Sequence, residues 1–292
     1  MMRSVLSTSL LFLSLVSAQT LHLAGDSTMA VGGGGSGTRW LIGWGVPLPQ
    51  FLTIPVVNHA VAGESARSYT NDGGFANVIA AVKSGDFVII EFGHNDVSAG
   101  AVDNGQQDAV GDGYNITEVV TTANGTQITI HSFAFYVENA VNSIKAKGGI
   151  PIISSLTPDN IWSGTTIAAG GRFVGYAQSV GTDTSITYVD HFDYVAQAYD
   201  NLGETTVNTF YPIDHLHTNA GRGSCGGRGL PEGTAVWDEF FEELRQCSWK
   251  SGTERLLVKC LVLVVCTRAH VILCRTNVAV RRASYFGHIA RR

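Results

Sequence analysis

The feature that most limits how this chain can fold is an alternation. Short apolar runs recur along it, separated by longer amphipathic stretches. The runs at residues 21–24, 56–59, 87–92, 150–155 and 186–189 read as strands, and such an alternation is what a parallel sheet covered by helices requires. Helices must supply the cover, and the candidates are 75–83, 132–147, 172–180 and 192–202. The best formed is 132–147, where Phe133, Val137, Ala140, Val141 and Ile144 fall at helical spacing and Gly148 stops the pattern. Together these predict an α/β fold with a central parallel sheet between helical layers. Residues 98–131 are polar and rich in Gly, Asn and Asp, and read as an inserted surface loop or ribbon.

In an open parallel sheet, ligands sit beyond the carboxyl ends of the strands. Three of the runs end at Gly25-Asp26-Ser27-Thr28, Ala60-Val61-Ala62-Gly63 and Gly93-His94-Asn95-Asp96, blocks that between them supply turn glycines and small polar residues. Functional residues therefore gather on one edge of the sheet.

Acyl transfer needs a nucleophile, a base, an orienter for the base and donors for the oxyanion. Ser27 follows a strand and a glycine, where a tight turn exposes its hydroxyl; a helix N-cap is the plainer role for it. Gly63 offers an unhindered N–H or serves only as a turn glycine. Asn95 offers a side-chain amide, or closes an Asx turn. Asp214 lies three residues before His217, a spacing that lets the carboxylate hold the imidazole in the tautomer that accepts a serine proton. Turn chemistry or a metal site with His215 are the other readings of that segment. Zinc is disfavoured, because His215 and His217 are two apart and no cysteine precedes residue 225.

Taken in this order, Gly25–Thr28, Asn58–Gly63, Gly93–Asp96 and Asp214–His217 resemble the four blocks of the SGNH (GDSL) hydrolases. Longer stretches, Leu23–Ala30, Ala62–Tyr69, Glu91–Asp96 and Tyr211–Thr218, look like the fungal rhamnogalacturonan acetylesterases, from about residue 21 to about 221. The resemblance implies a three-layer, flavodoxin-like fold. It also implies a serine esterase that removes acetyl groups from pectin, with Ser27, Asp214 and His217 catalytic and Ser27, Gly63 and Asn95 forming the oxyanion hole. Neither a metal nor an organic cofactor is called for. An acetylated polysaccharide is the expected partner, and the chain reads as a monomer. Other acetylated glycans or small esters, or a non-catalytic sugar-binding role, are the competing readings. Trp40, Trp44, Tyr69, Trp162 and Tyr211 are candidate sugar platforms. Arg67 and Arg172 are candidate uronate partners, or members of ordinary ion pairs.

The two ends of the chain differ from the body. Residues 1–18 carry a basic start, an apolar run too short for a bilayer span and a small-residue cleavage site, so they read as a signal peptide. Export and an extracellular location follow, and sequons at Asn115 and Asn124 agree with that. Residues 1–221 hold 7 Lys/Arg against 18 Asp/Glu, whereas residues 222–292 hold 12 against 6 and all five cysteines. An acidic body offers no basic surface to nucleic acid. A helix around 235–246 is expected to close the hydrolase domain (19–247). The family likeness fades after about 221, and the region beyond reads as a shifted frame or retained intron, ending in an atypical basic tail, 248–292, that is disordered or an artefact of the gene model and offers no membrane span.

Overall fold

The computed structural model describes residues 19–33, 41–97 and 102–219. The leader, Trp40, the helix expected at 235–246, the five cysteines and the basic tail lie outside these residues.

Five parallel strands form the centre: β1 (Leu21–Gly25), β2 (Val56–Asn58), β3 (Phe87–Glu91), β6 (Ile150–Ser154) and β9 (Thr187–Val189). Their order is β2-β1-β3-β6-β9. All residues of β1 and β3 are buried, which is why those runs are continuously apolar rather than alternating. Alternate residues nevertheless serve different layers. Leu21, Leu23, Phe87, Ile89 and Ile152 pack on one face with Trp44 and Leu48, which lie in and beside a short 3-10 turn at Leu48–Phe51. Ala24, Val88, Ile90 and Ile153 pack on the other, beneath α1 (Ala66–Asn71), α2 (Gly74–Ala81), α3 (Phe133–Ala146) and α4 (Arg172–Asp183). The result is the expected three-layer α/β architecture.

The remaining elements are smaller. The inserted region is a ribbon: β4 (Thr117–Thr121) pairs antiparallel with β5 (Gln127–His131), with its own small core of Ala109, Val120 and Ile130. A second ribbon joins β7 (Trp162–Ser163) to β8 (Thr166–Ile167), and packs with α5 (His191–Leu202) and α6 (Glu204–Asn208) in a satellite cluster. Two helices, α1 and α6, were not foreseen from the sequence. Both are short, and α1 is launched by Ser65 and Ser68 capping each other, a pairing that departs from the usual Ser/Thr-x-x-Glu signature.

The strand order runs outward from β1 to β2, then returns to β3 on the other side of β1. The crevice between β1 and β3 is therefore the topological switch point, where a doubly wound sheet places its ligand. Ser27 follows β1 and Asn95 follows β3.

Candidate active site

Asp26 builds the turn that carries Ser27. Its carboxylate Oδ1 accepts from the Thr28 N–H at 2.9 Å and the Thr28 hydroxyl at 2.8 Å, and its carbonyl accepts from Met29 and Ala30. Asp26 thus closes this turn, which leaves the Ser27 hydroxyl for other work. Gly25 is required by close packing, because a Cβ there would stand 2.8 Å from Glu91 O. Burial holds the Asp26 carboxyl above the usual carboxylate range, against the pull of His94 and the two Thr28 hydrogen bonds.

Ser27, His217 and Asp214 form a continuous chain of hydrogen bonds. The Ser27 hydroxyl and His217 Nε2 are 2.9 Å apart, and His217 Nδ1 lies 2.7 Å from Asp214 Oδ2. A carboxylate only accepts, so Nδ1 carries the ring proton and Nε2 is left free to accept from serine. The other Asp214 oxygen takes the backbone N–H groups of Leu216 at 2.8 Å and His217 at 2.7 Å. Burial alone would raise the Asp214 pKa, but the His217 ring and these backbone donors bring it below the ordinary value. Sequence spacing anticipated this arrangement, and His215 takes no part in it. The His215 ring sits instead against Asn160 O at 3.0 Å, while Asn160 N donates to His215 O at 2.7 Å.

Gly63 and Asn95 arrive from the neighbouring loops. Val61 N donates to Gly25 O at 3.0 Å, which runs the chain after β2 along the end of β1. Gly63 has φ +83°, a conformation that glycine adopts without strain, and a Cβ there would meet nothing within 4 Å. The Asn95 amide reaches across to Glu64 O at 2.9 Å, one residue from Gly63. An amide carries two N–H donors, so this bond is compatible with presenting the other to a ligand. Asp96 adds a second tie, accepting from Ala66 N at 2.8 Å. Burial pushes the Asp96 carboxyl up to about 7, and drives its neighbour Asp108 well above the ordinary range as well.

A small pocket opens beside Ser27, lined by Ile42, Trp44, Thr157, Tyr211 and Leu216 along with the two catalytic candidates. Ile42, Thr157 and Leu216 carried no sequence signal: two are plain aliphatics, the Thr157 hydroxyl, 3.3 Å from His94 Nε2, follows no motif, and only the fold brings them here.

Two of the expected substrate residues are corrected. Arg67 is 4% exposed and clamps Asp103 through both guanidinium ends at 2.8 and 2.9 Å, so it cannot meet a uronate. Tyr69 is 2% exposed in a cluster with Phe75 and Phe92, its hydroxyl spent on His59 O, so it offers no sugar platform. Trp44 and Tyr211 are also buried but border the pocket. Trp162 is half-buried against the satellite cluster. Arg172 is exposed, its guanidinium 4.9 Å from the Phe173 ring centre.

Comparison with known proteins identifies relatives of this chain. Residues 23–220 match the GDSL-like lipase/acylhydrolase family. Rhamnogalacturonan acetylesterase of Emericella nidulans is 42% identical over 248 residues, covering 85% of this chain and 93% of that protein. Rhamnogalacturonan acetylesterase RhgT of Bacillus subtilis is 35% identical over 78 residues, 26% of this chain and 33% of its own length. Among solved structures, the YxiM protein of Bacillus subtilis superposes with a TM-score of 0.55 at 20% identity, covering 70% of this chain and 52% of that one, which shows a shared fold.

Proposed function

This chain belongs to the GDSL-like lipase/acylhydrolase family and is a carboxylic ester hydrolase, and we propose that it is a secreted enzyme that removes acetyl groups from rhamnogalacturonan, the pectin backbone. The observation that carries the chemical part is the unbroken chain from the Ser27 hydroxyl through His217 to Asp214. The polymer is argued from the 42% identical relative that spans nearly all of this chain.

In this scheme Ser27 Oγ attacks the acetyl carbonyl carbon while its proton passes to His217 Nε2. The negative charge that develops on the carbonyl oxygen is met by the N–H groups of Ser27 and Gly63 and the Asn95 amide. When the intermediate collapses, the sugar oxygen leaves with the proton held on Nε2, and the acetyl group stays on Ser27. Water then gives a proton to the same nitrogen and attacks the acyl-enzyme. Acetate leaves as the proton returns to Ser27. Asp214 keeps Nδ1 protonated throughout and stabilises the imidazolium formed in each half.

Export rests on the leader read at 1–18. It is supported by the exposure of Asn115 and Asn124 on the inserted ribbon, where a glycan would project into solvent. Among the described residues no helix is long and apolar enough to cross a membrane.

The test is acetate release from acetylated rhamnogalacturonan, with Ser27→Ala beside the wild type. Release that disappears in the variant supports the assignment. Equal release by both would remove Ser27 from the chemistry, and release only from acetylated xylan would move the substrate to another wall polymer.

A further inference from the structure

One buried ionisable group beside the site has no part in the chemistry described above. Glu91, the last residue of β3, is 1% exposed, and both its oxygens are engaged. Oε1 accepts from the Trp44 indole N–H at 2.8 Å, and Oε2 lies 2.6 Å from the Ser154 hydroxyl and 2.7 Å from His191 Nδ1. His191 is fully buried and meets the Trp44 ring edge to face, with centres 5.4 Å apart at 87°. Placing a carboxyl group in the core is costly unless donors surround it, and here three do. One of the three is the Trp44 indole itself and a second, His191, packs against its ring, so the carboxyl helps to fix that indole.

The backbone fixes the same residue from the other end. Trp44 N donates to Thr28 O at 2.8 Å and Gly43 N to Ala30 O at 2.9 Å, so the segment lies directly on the turn that carries Ser27. A Cβ at Gly43 would stand 2.2 Å from Met29 C, and one at Gly45 2.6 Å from Met29 O. The flanking glycines thus let the chain press against the nucleophile turn, with Trp44 among the residues that line the pocket beside Ser27.

We infer that Trp44 is the wall that sets the length of the acyl chain this enzyme accepts, and that Glu91 is the positioning residue that holds the wall in place. The inference rests on the esterase reading. At the tetrahedral carbon, one substituent is Ser27 Oγ, the oxyanion faces the donors of the three strand-end loops, and the leaving oxygen must lie near His217 Nε2. The acyl substituent takes the remaining direction. A polymeric alcohol cannot enter a small pocket walled by Trp44, Ile42 and Tyr211, whereas a methyl group can. A chain two carbons longer would meet the indole, which Glu91, His191 and the Thr28 carbonyl prevent from moving aside.

The experiment compares kcat/KM for the p-nitrophenyl esters of acetate, butyrate and hexanoate. The wild type is expected to prefer acetate strongly. Trp44→Ala should move the butyrate-to-acetate ratio toward butyrate by roughly tenfold or more, the scale on which one extra methylene is discriminated in an apolar pocket. Glu91→Ala should move it the same way by less, and Glu91→Gln, which keeps an acceptor for the indole N–H, should restore the wild-type ratio. If Trp44→Ala does not fold, Trp44→Leu carries the same comparison. A folded Trp44 variant with an unchanged ratio overturns the inference, as does a wild type that takes hexanoate as readily as acetate. A wild type that hydrolyses none of the three esters defeats the esterase reading itself, and the wall falls with it.

Discussion

Ser27 and His217 meet at 2.9 Å, yet they reach that point from opposite kinds of scaffold. Ser27 follows β1, a strand paired on both sides, and is itself only 5% exposed. His217 lies in an irregular segment after α6, attached by a handful of bonds. Asp214 grips it from within, Ile42 N holds Thr218 O at 3.1 Å, and Asn219 N holds Phe210 O at 3.0 Å. Groups built on strands are placed more tightly than groups on loops. The nucleophile therefore draws its position from the sheet, while the base depends on its own local ties.

The largest break in this comparison is removal of either partner. His217→Ala and Ser27→Ala should each lower kcat by on the order of a million-fold, and the double variant should be little worse than either, because the two act as one unit. Steady-state rates on p-nitrophenyl acetate will show whether the losses coincide; unequal or additive losses would separate the two sides. Next comes Asp214→Asn. The amide can still accept from the backbone of Leu216 and His217, but it presents an N–H to Nδ1 and selects the wrong tautomer, so roughly a 10³- to 10⁴-fold fall in kcat is expected with KM little changed. Asn95→Ala, on the sheet side, should cost about 100-fold in kcat as one oxyanion donor is lost. Turnover within a few fold of wild type would take Asn95 out of the oxyanion hole.

The smallest effect distinguishes the sides by pH. The Asp214 carboxyl sits below its ordinary range, so its contribution to stability is present above the ordinary carboxylate pKa and fades as pH falls through the lowered value. Asp96, on the sheet side, behaves in the opposite sense. Burial raises it to about 7, so between the unfolded value of about 3.9 and 7 the folded chain holds a proton that the unfolded chain lacks. Raising the pH through that window weakens the fold. Melting curves from pH 4 to 8 should show Asp96→Asn gaining on the wild type by roughly a few degrees as pH rises. A constant difference across the range would mean that Asp96 does not titrate there.

Much of this was legible in the sequence, and the reason lies in which side a residue belongs to. The central strands β1, β3 and β6 were readable because burial leaves nearly unbroken apolar runs, while the edge strands β2 and β9 are only partly buried and carry shorter apolar stretches. Ser27 and Asn95 could be found as the polar residues that follow such runs. His217 was found by different means, the three-residue spacing from Asp214. The fate of Arg67 and Tyr69 was not legible. Both lie on α1, a helix too short to show a period, and what removes them from the surface is Asp103 in the inserted region and the carbonyl of His59. Those partners are distant in sequence and share no pattern with them. Trp44 was read as a sugar platform for the same reason: nothing local announces that Glu91, 47 residues later, will bind its indole.

The bond between Ser27 and His217 closes a span of 190 residues. A chain made from its N-terminus at about 5–20 residues per second carries its nucleophile for many seconds before its base exists. During that interval the nascent polypeptide holds a serine whose base has not yet been made, so the hydrogen-bonded chain from Ser27 to Asp214 cannot assemble until the segment carrying His217 has been synthesised.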